Sequence, residues 1–127
     1  MTVIPKGVWS SVCELRFCSL GENSHSSGSS FVFGEGGETV PVTSLDEALA
    51  GQRVTFIKMD IEGSELEALK GAEKTIREQK PKLAICVYHK PEDIWEIPEL
   101  MLEFNEDYRF YMRHYSLASF DTVLYAI

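Results

Sequence analysis

Basic charge is scarce in this chain. Its 127 residues hold 12 Lys and Arg against 20 Asp and Glu, for a net charge of −8. Phosphate binding needs a basic face, so nucleic acid is excluded as the main partner. Long apolar runs are also missing. None approaches the length of a membrane span, and no charged start followed by an apolar stretch marks a signal peptide. Cysteine is sparse: Cys13, Cys18 and Cys86 are odd in number and irregular in spacing, which fits neither a disulfide framework nor a zinc pattern. Free thiols in a reducing, cytoplasmic compartment are the expectation. There is no GxGxxG loop after a strand, no P-loop and no nucleophile elbow. The glycine-rich stretch at 34–38 falls between two short strands, so it reads as a hairpin turn and not as a phosphate cradle. Internal repeats and long low-complexity tracts are absent as well.

The length suits one domain. Two parts differ in style. Residues 1–43 start with a loose lead-in. A strand over 8–20 follows, then a polar loop at 21–30, a short strand at 29–33 and another at 39–42. This predicts a small antiparallel β-meander. Residues 44–127 open on Thr43 or Ser44 as a helix cap, with Asp46 and Glu47 complementing the helix dipole. Thereafter the pattern alternates. A nearly continuous apolar strand at 54–61 reads as covered on both faces. A helix at 64–79 carries Leu66, Leu69, Ala72 and Ile76 on one stripe, with Ser64 and Glu67 at capping-box spacing. Gly71 inside that helix suggests a close approach to a sheet. Lys80 and Pro81 end it. A buried strand at 82–88, a helix at 91–105 kinked or broken by Pro98 near Glu96, and two strands at 108–114 and 119–127 complete the chain. The last two are too close in sequence for a parallel crossover and must form an antiparallel hairpin. Right-handed crossovers make the first three strands parallel, giving a mixed α/β sheet.

The carboxyl ends of parallel strands share one edge, where open α/β sheets bind ligands. Asp60, Glu62 and Glu65 follow the first strand, His89 the second and His114 the third. Lys58, two residues before Asp60, lies on the same strand face. His89 is the leading base among them, and a helix-entry role is its structural alternative. Lys58 and Asp60 could instead be a satisfied ion pair. Glu62 and Glu65 could complement the helix dipole, and His114 could be structural at a hairpin mouth. His25 reads as solvated. Asp60, Glu62 and His89 could ligate a metal, but none of these groups has the i, i+4 spacing of a dedicated motif, so a metal site ranks below a metal-free acid/base site.

Lys58, Asp60, Glu62, Gly63 and Glu65, followed by Leu69, Gly71 and Ala72, resemble the signature K-x-D-x-E-G-x-E…L-x-G-A of FkbM-type methyltransferases. Ser44, Leu45 and Asp46 are similar to a short segment before that signature. Arg113, His114 and Tyr115 with residues 121–127 are similar to the family's ending, Asp121 standing for its Glu. Gly7, Val8 and Trp9 with Leu15 and Phe17 resemble the segment before the front strands. The resemblance implies a Rossmann-like class I methyltransferase fold that ends in an antiparallel hairpin. It also implies S-adenosylmethionine (SAM) as cofactor and a hydroxyl-bearing small molecule as acceptor. It matches the C-terminal half of the domain only. The family's glycine-rich SAM loop falls outside these residues, so cofactor-binding residues stay unassigned. On this reading residues 1–127 are a single partial domain, with Asp60 or His89 as base and Glu62 orienting. Lys58, Glu65 and His114 are then on the substrate side, and the exposed sheet edge would pair copies of the chain. A metal-dependent enzyme and a non-catalytic interaction module are the alternatives.

Overall fold

The computed structural model describes residues 1–18, 30–31, 38–118 and 120–127. The polar stretch 21–29, with His25, and the glycine-rich turn at 34–37 lie outside the described residues. Two four-stranded mixed sheets are present. The first is built from β1 (Gly7–Val8), β2 (Cys13–Cys18), β3 (Ser30–Phe31) and β4 (Glu38–Thr43) in the order β1-β4-β2-β3. It is not the expected meander. The strand predicted over 8–20 is interrupted by bends around Ser10 and Ser11, and this break lets β1 pair parallel to β4 while β2 pairs antiparallel to it. Strand β2, and not β3, sits in the middle, so the strands flanking the glycine-rich turn are not hydrogen-bonded neighbours.

The second sheet follows the order β5 (Phe56–Met59), β6 (Lys82–Cys86), β8 (Thr122–Ala126), β7 (Phe110–His114). Strands β5 and β6 are parallel, and β8 is inserted antiparallel between β6 and β7. This is the mixed α/β sheet with a closing antiparallel hairpin read from the sequence. Among the described residues, one face carries the large buried apolar side chains, while the other buries only the small Ala84 and Cys86 of β6. Leu83, Ile85 and Leu124 on the first face meet Leu69 and Ile76 of the helices α2 (Glu65–Lys70) and α3 (Glu73–Gln79) and Ile97 and Met101 of α4 (Asp93–Phe104). These side chains are essentially inaccessible and form the core. Strand β5 alternates exposed and buried, with Phe56 and Lys58 exposed, so the expectation that it is covered on both faces fails. No helix among the described residues is long and apolar enough to cross a membrane.

The single helix expected at 64–79 is two helices, broken at Gly71 and Ala72. The break is a docking point. A Cβ on Gly71 would come within 2.2 Å of the Trp9 carbonyl oxygen, so the close approach comes from the backbone beyond β1 and not from the second sheet. The Gly71 carbonyl accepts the backbone N–H of Asp46 in α1 (Leu45–Leu49). The Asp46 carboxylate then accepts from the Lys74 and Thr75 backbone amides at 3.0 and 2.8 Å and from the Thr75 hydroxyl at 2.6 Å. It therefore serves the open N-terminus of α3 more than the dipole of its own helix. Ser44 caps α1 as expected, accepting from the Glu47 amide. The predicted capping box at Ser64 does not form: Ser64 makes no side-chain cap bond and Glu67 pairs with Lys70. Helix α4 runs unbroken through Pro98.

Replacing Gly71 with Ala should destabilise the chain by about 1–3 kcal/mol, because the methyl group meets backbone that cannot swing aside. Urea unfolding of the two proteins measures this, and equal midpoints would mean that the contact has slack.

Candidate functional site

Strand β5 stops at Met59 and α2 starts at Glu65, so five residues turn the chain. Glu62 and Gly63 both take left-handed backbone conformations, with φ of 58° and 88°. Such a conformation is strained for a non-glycine residue and holds only when its surroundings enforce it. The enforcing contact is local. Glu65, with no exposed side-chain surface, accepts the Ile61 backbone N–H at 2.8 Å and closes the turn on itself. Gly63 packs under His89 and Lys90, leaving little room for a side chain.

His89 follows β6, the neighbour of β5, and register places it beside this turn. Its side chain is only 10% exposed. Its Nδ1 lies 3.1 Å from Glu65 Oε1, and its Nε2 lies 3.4 Å from Glu62 Oε2 and 3.7 Å from Asp60 Oδ1. Asp60 and Glu62 reach solvent, with side chains 39% and 41% exposed. Asp60 accepts the Tyr88 hydroxyl at 3.1 Å, and Lys58 stands 3.9 Å from its other oxygen. The Tyr88 ring also packs on that of His89. Burial, then the hydrogen bond to Asp60, pushes the Tyr88 hydroxyl well above its ordinary pKa. The buried Cys86 thiol, pushed up to about 12 chiefly by its burial and next by Asp60, stays protonated and unreactive. Tyr88 thus stays a hydrogen-bond donor toward Asp60.

Five of the six residues singled out in the sequence therefore converge: Lys58, Asp60, Glu62, Glu65 and His89. His114 does not join them. It ends β7 on the same edge, but the reversed strand β8 lies between β7 and β6. Two strand spacings make about 10 Å. Its Nδ1 is engaged by the Thr122 hydroxyl at 2.8 Å. Sequence reasoning missed Tyr88, although it directly precedes His89. It also missed an open cleft of about 420 Å³ on the helix-free face of the hairpin, lined by Tyr111, Arg113, Tyr115, Tyr125 and Ile127. Alternation of Tyr111, Arg113 and Tyr115 on one strand face was the available signal.

Comparison with known proteins places the chain in a family. The sequence profile described as Methyltransferase FkbM domain matches residues 3–116. A crystal structure of a methyltransferase FkbM from Methylobacillus flagellatus KT is similar, with a TM-score of 0.78 at 33% sequence identity. The match covers 99% of this chain and 28% of that one, so the chain spans less than a third of the length of the structure it resembles. No curated protein matches the chain.

A second buried carboxylate borders the site. Asp93, 2% exposed, accepts the Lys90 backbone N–H at 3.1 Å at the start of α4. Burial raises its pKa, helped by Glu65 and Glu92 and opposed by that hydrogen bond and by the Lys90 charge. The folded carboxyl thus holds its proton more tightly than the unfolded one. Its stabilising contribution is present at low pH and is lost as pH rises through the raised value. Asp93→Asn, which keeps an acceptor oxygen without the charge, should therefore gain stability over the wild type at neutral pH. That gain should shrink as pH falls toward about 4. Urea unfolding across this range tests it, and a pH-independent difference would contradict it.

Proposed function

The chain belongs to the FkbM methyltransferase domain family, and from that premise we propose that it serves SAM-dependent transfer of a methyl group to a hydroxyl oxygen of a small-molecule acceptor. The observation that carries this reading is the pair of half-exposed carboxylates at the carboxyl end of β5, backed by a covered imidazole. A hydroxyl that is being alkylated must lose its proton, so a base has to stand at hydrogen-bond reach of it. Asp60 fills that role. It is reachable from solvent, and the Tyr88 hydroxyl and Lys58 fix its direction. Glu62, on the strained turn, orients the acceptor.

His89 acts through these carboxylates. Both of its ring nitrogens are covered, so it is a positioning residue in this arrangement. Glu65, with no exposed surface, serves the turn and not the substrate. SAM would supply the activated methyl group. The glycines beside the site offer it no cradle: Gly63 is filled in by Lys90 and His89, and Gly71 is closed by the Trp9 backbone. SAM contacts are therefore assigned to none of these residues, which present the acceptor side.

Methyl transfer from labelled SAM to hydroxyl acceptors, in a polypeptide that contains this chain and binds SAM, tests the reading. Asp60→Asn should lower kcat by about 100-fold or more with KM for SAM unchanged, as expected for loss of a general base. His89→Gln should lower kcat less. Full turnover in both variants would refute the assignment.

A further inference from the structure

Three polar atoms are buried together in this site with no hydrogen-bond partner: Glu65 Oε2 and both ring nitrogens of His89. The nitrogens lie near carboxylate oxygens but miss the alignment that a hydrogen bond needs. Orphaned buried polar groups are rare in folded chains and call for an occupant. One oxygen of Asp60, one of Glu65 and one ring nitrogen of His89 lie within 4.8 Å of one another. Ligands facing each other across one ion at bond lengths of about 2.1–2.5 Å are roughly 4.2–5 Å apart, so a single cation can reach all three.

We propose that Asp60, Glu65 and His89 hold a divalent cation, with Glu62 beside the imidazole at the edge of the cluster. Charge supports this occupant over the two simpler ones. Asp60, Glu62 and Glu65 stand around one imidazole and the buried Asp93 lies beyond Glu65, whereas the Lys58 ammonium is 61% exposed and 3.9 Å from Asp60 and the Lys90 side chain lies over Gly63. A proton on His89 would have to donate along directions in which neither nitrogen finds an acceptor, and it would leave Glu65 Oε2 unsatisfied. A water molecule could bridge the orphaned atoms but would bring no positive charge to the three carboxylates that face the imidazole. Mixed imidazole and carboxylate ligation suits Mn²⁺, Fe²⁺ or Zn²⁺ better than Mg²⁺ or Ca²⁺, which prefer oxygen alone. With these protein ligands the ion keeps open positions on its solvent side, where Asp60 and Glu62 are exposed. An acceptor hydroxyl can bind there, its proton passing to the Asp60 oxygen that the ion leaves free. That use rests on the methyl-transfer reading, whereas the binding of the ion does not.

Calorimetry on the chelator-treated chain, titrated separately with Mn²⁺ and Zn²⁺, should show one ion bound per chain, and the bound ion should raise Tm. Asp60→Asn, at a half-exposed position that leaves the core intact, should weaken binding about ten-fold or more, and Glu65→Gln should do the same. Absence of binding and of any Tm shift with both metals at about millimolar concentration would overturn the proposal. So would wild-type affinity in both variants, or NMR showing His89 doubly protonated and unmoved by Zn²⁺. Ion binding in a protein that transfers no methyl group would leave the site standing and dismiss the methyl-transfer reading.

Discussion

The buried carboxylate of Glu65 is the constraint on which the site depends. Taking a charged group out of water is costly unless its oxygens are engaged. Here one oxygen is committed to the Ile61 amide four residues back, across a turn with two left-handed residues. That bond fixes where β5 ends and where α2 begins. Once it is made, Asp60 projects from the strand end, Glu62 is held beside the imidazole, and Gly63 is pressed against the loop that carries His89. The helix start adds a favourable field for the carboxylate. Local strain at Glu62 and burial at Glu65 are thus two sides of one arrangement, and both serve to place groups at the mouth of a parallel strand pair.

The second organising contact is the break between α2 and α3. It lets the backbone after β1 and the start of α1 dock on the helical layer. Asp46 joins the two, offering its amide to Gly71 and its carboxylate to the exposed amides of α3. Through this joint the front sheet is tied to the layer that supports the site. Among the described residues no helix covers the opposite face of the second sheet, and there the hairpin cleft and Lys58 lie exposed.

Much of this was legible in the sequence because it rests on local chemistry. Strand and helix periodicity located β5, β6, α4 and the closing hairpin to within a few residues, and the short final connection fixed the direction of β8. The convergence of Asp60, Glu62, Glu65 and His89 followed from strand ends alone. What was not legible came from contacts distant in sequence. Nothing in the spacing of Ser10 and Ser11 says that β1 pairs with β4, since register is set by partners beyond the local pattern. Asp46 looks like an ordinary first-turn acid until α3 is placed beside it. The stripe from Leu66 to Ile76 reads as one helix because the break at Gly71 keeps the apolar side chains on the same face of the core. His114 was drawn into the site by the assumption that adjacent parallel ends are adjacent strands, which the inserted β8 overturns.

Glu65 holds the turn closed from within, and amide hydrogen exchange at Ile61 reports on it directly. The Ile61 amide should exchange as slowly as the core amides of β5, and Glu65→Ala should release it while Leu83 and Ile85 in β6 stay protected. Rapid exchange at Ile61 in the wild type, or unchanged protection in the variant, would contradict it.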